Sequence, residues 1–242
     1  METPILAARM LARAATSRLR PRTAGYVMRR VSTRDDWAAV RSLRAAALES
    51  LGDIPAGSPS PTGDGHDTQP GTTTFLLARD GRSVATTRIS VAVEGASATL
   101  PAARSFGGDL ARVVRGTVVE ASCILVDPAE EDRRNTLLRL FKSHLLACVA
   151  CNADWLVTAA REAQMGFYRR TFGMEILGGA ECLEGLALPR VLMGLRWRRS
   201  AAELARRIPL VAWTSLDERR FAMRGEVTFA ERDAARDPHR CA

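Results

Sequence analysis

One stretch constrains the fold of this chain more than any other: an apolar strand, a proline break, an amphipathic helix and a second apolar strand, in that order. Val118, Val119, Ala121, Ile124, Leu125 and Val126 make a hydrophobic, β-branched run in which Glu120 is the single charge. Asp127-Pro128 ends it, because proline removes a backbone donor and fixes φ. From about Asn135 to Cys151, the residues Leu137, Leu138, Phe141, Leu145, Cys148 and Val149 fall on one broad face at helical spacing. Asp154 to Ala159 reads as the next strand. Strand, helix and strand in this order predict a right-handed parallel crossover. Glu120 stands out within it. Burying an unpaired carboxylate is costly, and burial raises its pKa toward values useful for proton transfer near neutral pH. Such a residue points to a buried partner, for which Arg88 is the candidate, or to a site.

Local signals extend the pattern. Ser32 or Thr33 caps a helix whose first turn carries Asp35 and Asp36, a favourable arrangement at the positive end of a helix. It continues through Trp37, Val40, Leu43, Arg44, Ala47 and Leu48 at spacings of three and four. A loop rich in Pro, Gly, Ser, Thr and Asp runs from Gly52 to Gly71, a length that is often functional. Thr73–Ala78 and Ser83–Val93 flank Asp80-Gly81, a hairpin signal. Residues 94–116, with Gly95, Pro101, Gly107 and Gly108, read as irregular. After the crossover, Glu162–Phe172 reads as a short helix, Met174–Leu177 and Val191–Trp197 as strands, and 200–208 and 216–236 as helices. The result is an α/β chain of the α+β kind: a mixed sheet with helices on both faces. A basic extension over 1–25 precedes the main domain, 26–199, and a C-terminal helical extension over 200–242 follows it.

The net charge of +8 is unevenly placed. Residues 1–30 hold seven Arg and one Glu, and residues 190–224 nine Arg and three acids, whereas residues 31–189 hold 16 basic and 19 acidic residues. The core is slightly acidic and its flanks are basic. Of the 35 basic residues only Lys142 is not Arg, a bias that fits GC-rich coding better than recognition chemistry. No nucleic-acid motif accompanies the basic arms, so nucleic acid is not an expected partner, although peripheral membrane contact stays open. No apolar run approaches the ~18 residues of a membrane span, and Met1 to Arg22 lacks the apolar core of a signal peptide. Five cysteines, three of them in apolar runs, read as reduced thiols in a cytoplasmic protein. Cys148-x-x-Cys151 has no second ligand pair, and His66 and His144 are isolated, so no metal is expected. Nothing forms a P-loop, a dinucleotide fingerprint or a Ser-His-Asp triad.

The order of elements from Glu120 through Phe167-Tyr168-Arg169-Arg170-Thr171-Phe172-Gly173-Met174 resembles the acyl-donor half of the GNAT acyltransferase superfamily. Over residues 26–198 the chain resembles, more narrowly, the N-acyl amino acid synthases and their relatives the acyl-homoserine-lactone (autoinducer) synthases. Arg44 followed by Leu48 resembles their Arg-x-x-x-aromatic position, with Leu for the aromatic. Asp67 resembles an aspartate that shapes the amine side of the site, and Arg88 their strand arginine. Glu120 resembles the glutamate of a Glu-x-x-Arg strand motif whose arginine is here Cys123. That loss, with the absence of a tryptophan after the first helix, disfavours a homoserine lactone product. Tyr168 sits where many acetyltransferases keep a general acid. The run Arg133-Arg134-Asn135-Thr136-Leu137-Leu138 replaces the glycine-containing pyrophosphate loop of acetyl-CoA users, whose small residues let backbone N–H groups approach phosphate.

The resemblance implies a GNAT-like, mostly antiparallel sheet and transfer of an acyl group from a thioester to an amine. Glu120 would take the proton from the amine, and backbone N–H groups of a splayed or bulged strand near Ser122 would stabilise the oxyanion. Strict alternation puts Glu120 and Ser122 on one face and Cys123 on the other unless a bulge intervenes. Arg44, Asp67, Arg88, Cys123 and Tyr168 would contact substrate. The degenerate loop suits the single phosphate of acyl carrier protein better than CoA, and Arg133, Arg134 and Arg139 would meet that acidic carrier. No cofactor is expected to bind tightly. The co-substrate is an acyl-phosphopantetheine thioester, on carrier protein or on CoA, and the acceptor an amino acid or similar small amine. Two other readings stand: an acetyl-CoA-dependent N-acetyltransferase, and a non-catalytic GNAT-fold binding module.

Overall fold

The computed structural model describes residues 25–55, 65–208, 214–225 and 227–228. Eight strands form one sheet: β1 Tyr26–Arg30, β2 Thr72–Arg79, β3 Arg82–Ala92, β4 Val118–Val126, β5 Trp155–Arg161, β6 Glu175–Glu181, β7 Arg190–Arg196 and β8 Val227–Thr228. Their order is β6-β7-β5-β4-β3-β2-β1-β8, and only the β4·β5 pair is parallel. The helices are α1 Arg34–Ser50, α2 Ala103–Val113, α3 Arg133–Ala150, α4 Glu162–Phe172, α5 Trp197–Arg207 and α6 Ser215–Arg224. The crossover read from the sequence is β4, α3 and β5.

Successive residues of β4 serve opposite faces of the sheet. Val119 joins the main core with Leu140, Phe141 and Leu145 of α3, whereas Val118 joins a second core with Phe106 and Leu110 of α2. Glu120, two residues from Val118, therefore lies on the α2 face. On that face α1 buries Val40, Leu43, Arg44, Ala47 and Leu48. Its start is fixed by a capping box: the Thr33 hydroxyl accepts from the Asp36 amide, and Asp36 accepts from the Thr33 amide, each at 3.1 Å.

Two segments differ from the sequence reading. Residues 94–116 are not irregular, because α2 occupies 103–113. Ala102, Phe106, Leu110 and Val114 repeat at intervals of four and are all buried, so packing overrides the two glycines. Phe106 itself departs from helical geometry, at φ −114° and ψ 20°. The helix expected over 216–236 stops at Arg224, where Gly225 takes a left-handed φ of +62°. The chain then pairs as β8 with Val27 and Met28 of β1. Phe221 is buried and stacks on Phe75 of β2 at 5.7 Å, so α6 belongs to the main core. The basic segment 1–24 and the end of the expected extension, 229–242, lie outside the described residues.

Cys123, Cys148, Cys151 and Cys182 are free thiols. Burial pushes the Cys148 thiol well up and that of Cys151 up to about 11, so both keep their protons at neutral pH. No helix among the described residues is long and apolar enough to cross a membrane.

Candidate active site

The sheet opens at its centre. β4 and β5 pair at Val118↔Trp155, Val119↔Leu156 and Glu120↔Val157. Both strands run on, to Val126 and Arg161, and no further residue pair joins them among the described residues. Past Glu120, β4 also bulges. Cys123 adopts a left-handed φ of +48°, and the register against β3 slips between Thr86 and Arg88. The bulge is the one that the alternation argument required, and it brings Cys123 to the same cavity as Glu120 and Ser122.

Side chains on the opposite face fix that bulge. The Thr87 hydroxyl donates to the carbonyl of Ser122 at 3.2 Å and lies 2.8 Å from His144 Nε2. A hydroxyl has one proton to donate, so Nε2 must carry the proton of that second bond. His144 is thus the neutral Nε2–H tautomer, edge-on to Phe141. Complete burial lowers its pKa from 6.5 to about 3. The unfolded chain takes up this proton as pH falls below about 6.5, and the folded protein only near 3. Stability is therefore complete above that window and declines through it, by up to about 1.4 kcal/mol per pH unit. Urea denaturation across pH 4 to 7 is expected to show the decline. A His144→Gln variant, which keeps a donor toward Thr87, is expected to show less of it.

A cavity of about 630 Å³ fills the opening, and Arg44, Arg88, Glu120, Ser122, Cys123 and Tyr168 all line it. Asp67 stands just behind. Arg44 holds the Asp67 carboxylate through both terminal nitrogens, at 2.7 and 3.0 Å. The Thr74 hydroxyl donates to the same group at 2.8 Å, and Arg88 Nη1 is 3.7 Å away. Burial pushes the Asp67 carboxyl up, but the Arg44 hydrogen bonds and charge, with the Arg88 charge and the Thr74 hydroxyl, outweigh it. They hold the group below its ordinary 3.8. Arg88 also donates from Nε to Ser122 Oγ at 3.0 Å. The ladder places Arg88 opposite Ser122 and Ser90 opposite Glu120. Arg88 is therefore the diagonal neighbour of Glu120, within reach of a long side chain.

Glu120 is 1% exposed. Its Oε2 accepts the backbone N–H of Ala102 at 2.9 Å. Ala102 is the N-cap residue of α2, so the carboxylate meets the positive end of a helix that the sequence reading had not placed. Tyr168 packs among Phe141, Phe167 and Phe172. Burial raises its phenol well above the ordinary value, and the hydroxyl keeps its proton.

The three arginines expected to meet a carrier protein separate. Arg133 and Arg134 lie in the first turn of α3, and both are exposed. The neighbouring Glu130 does not neutralise them, because it is buried against Arg79 and Arg82 at 2.9 and 3.4 Å. Arg139 departs from the expectation. It is 5% exposed, with its guanidinium 4.0 Å from the centre of the Tyr26 ring. The broad apolar face of α3 wraps far enough to take Arg139 inside, which leaves it little surface for a partner. His66, buried, bonds Gln69 through Nδ1 at 3.1 Å and lines the cavity beside Arg44.

Three lining residues carried no sequence signal: Asp53, Arg161 and Arg190. Asp53 lies 137 residues before Arg190, and only the β5·β7 ladder and the loop after α1 bring the three together.

The family model for the N-acyl amino acid synthase FeeM matches residues 39–196, a span that holds every one of these cavity residues. The chain belongs to the FeeM family. It is an N-acyltransferase, as the reading from Glu120 and its neighbours implied. In three dimensions it is similar to FeeM, an N-acyl amino acid synthase from uncultured soil microbes, with a TM-score of 0.64 and 18% identity over 76% of this chain and 97% of that one. It is also similar to BjaI, a CoA-dependent acyl-homoserine lactone synthase solved with MTA, with a TM-score of 0.53 and 16% identity over 76% and 90%. MesI, another CoA-dependent acyl-homoserine lactone synthase, gives 0.53 and 12% over 74% and 93%. No curated protein matches the chain in sequence. The FeeM-type fold accounts for the mixed, mostly antiparallel, GNAT-like sheet.

Proposed function

We propose that the protein transfers a fatty acyl group from the phosphopantetheine thioester of acyl carrier protein to the amine of an amino acid. The observation that carries the proposal is the placement of the buried Glu120 carboxylate in the opening between β4 and β5. An amine must lose a proton as it attacks a thioester carbonyl, and Glu120 is positioned to take it directly or through water. The new C–N bond leaves a tetrahedral oxyanion, for which the β4 amides that no longer pair with β5 are the available donors. When the C–S bond breaks, the thiolate needs a proton, and the protonated Tyr168 phenol lines the same cavity. Leu48, Leu51, Ile124, Leu125, Leu183 and Leu186 supply apolar walls for the acyl chain.

The donor reading rests on α3. Its first turn has no glycine to admit a pyrophosphate, and it carries Arg133 and Arg134 where the helix dipole disfavours cations. An anionic partner offsets that cost. Purified protein incubated with pooled amino acids and a long-chain acyl group, presented once on carrier protein and once on CoA, tests both donor and acceptor by mass spectrometry of the products. N-acyl amino acids formed faster from the carrier are expected. Product from CoA alone would correct the donor, and no product from either would overturn the reaction.

A further inference from the structure

Five arginines line the cavity: Arg44, Arg88, Arg104, Arg161 and Arg190. Four have carboxylates. Arg44 and Arg88 share Asp67, Arg104 pairs with Glu184, and Arg190 Nη2 meets Asp53 Oδ2 at 2.6 Å. Arg161 has none among the described residues. Its guanidinium makes only a long contact, 3.4 Å, to the carbonyl of Leu51.

The placement of Arg161 makes this arrangement unfavourable without a ligand. Arg161 stands directly opposite Arg190 in the β5·β7 ladder, and like charges in that position repel. Asp53 neutralises only one of them, so the end of the cavity keeps one positive charge on a half-buried residue. A planar carboxylate fits that guanidinium through two parallel hydrogen bonds. It would break no internal ion pair on entering.

We propose that Arg161 binds the carboxylate of the acceptor amino acid and so selects amino acids over simple amines. The proposal rests on the N-acyl amino acid reading above. Glu120 pairs with Val157, four residues before Arg161 on β5, so the two backbones stand about 13 Å apart along the strand. The arginine side chain shortens that gap toward the dimensions of a free amino acid, whose amine then faces Glu120. The other anion available to this cavity is the donor phosphate. In a carrier-bound donor that phosphate is tethered to a folded protein and stays at the mouth, whereas a free amino acid passes inside to the buried Asp53–Arg190 pair.

The test compares an amino acid with its carboxamide and with the amine lacking the carboxyl group, using wild type, Arg161→Gln and Arg161→Lys. For wild type, kcat/KM is expected to fall at least tenfold from the amino acid to the carboxamide, through KM. For Arg161→Gln the amino acid is expected to drop to the level of the carboxamide, with KM for the acyl donor unchanged. Arg161→Lys is expected to recover part of the preference. A raised donor KM with acceptor preference intact would assign Arg161 to the donor phosphate and overturn the proposal. A wild type that acylates amino acids and carboxamides equally would overturn it too, leaving the synthase reading in place. A wild type that forms no N-acyl amino acid at all would instead remove the reading beneath it.

Discussion

Glu120→Gln will lower the rate of N-acyl product formation by about 10²–10⁴-fold while leaving the fold intact, the loss expected when a general base is removed. The substitution is close to isosteric. The Gln carbonyl oxygen still accepts the Ala102 N–H that Glu120 Oε2 accepts at 2.9 Å, so the start of α2 keeps its partner. What disappears is the ability to take a proton. The loss is expected in kcat, with KM for both substrates within a few-fold. Steady-state rates, with circular dichroism and urea denaturation as controls, decide it. Unchanged turnover would make Glu120 a structural carboxylate at the end of α2 and would favour a different base. Loss of the folded state would show that the negative charge, rather than the hydrogen bond, holds Arg88 and α2 in place.

Asp67→Asn is expected to destabilise the protein by about 3–5 kcal/mol, the range found when one partner of a buried ion pair is removed. Arg44 and Arg88 are 2% and 3% exposed, and the Asp67 carboxylate lies within ion-pair distance of both. Without its charge, two guanidinium groups remain buried with less compensation. The same residue shapes the acid limb of the stability curve. Because the folded carboxyl titrates below 3.8, its contribution is complete above the unfolded value and is lost as pH falls through the lower, folded one. Urea denaturation at pH 7 and at pH 3 measures both effects. The Asp67→Asn variant is expected to lose most at pH 7, with the gap to wild type narrowing toward pH 3. A variant as stable as wild type at pH 7 would sink this account. In that case Asp67 would act on substrate alone, and only the rate would change.

The parts of this fold that were legible in the sequence are those set by neighbours along the chain. The helix start at Ser32 or Thr33, the Asp80-Gly81 hairpin and the crossover around α3 each depend on a few adjacent residues, and each formed, with Thr33 as the cap. α2 was hidden because Pro101, Gly107 and Gly108 are local breakers, whereas Phe106 and Leu110 gain their stability from Val118 and Leu192 on distant strands. β8 was hidden because a strand of two residues has no periodicity, though Gly225 marked the helix stop. Within the site, Glu120 could be singled out because an apolar strand makes a lone charge conspicuous. Arg44 and Asp67 were named separately, but their bidentate pairing spans 23 residues and has no sequence signature. Arg161 looked like one arginine among 34. Its significance comes from standing opposite Arg190 with a single aspartate between two charges, which only the ladder reveals.

The short seam between β4 and β5 also bears on how the molecule comes apart. On one side, β1 to β4 connect as an antiparallel meander, and on the other β5, β6 and β7 form their own antiparallel set. Within the sheet, three residue pairs join the two among the described residues; the rest of the joint is side-chain packing on either face. Cooperative units seen in native-state hydrogen exchange tend to follow such contiguous blocks. Amides of β2 and β3 would then share one opening free energy and those of β5 and β7 another, with the joint between them the first to yield. Chemistry and fragility would meet at the same line, so a ligand wedged into it would act as a clamp between two subdomains, raising protection on both sides at once.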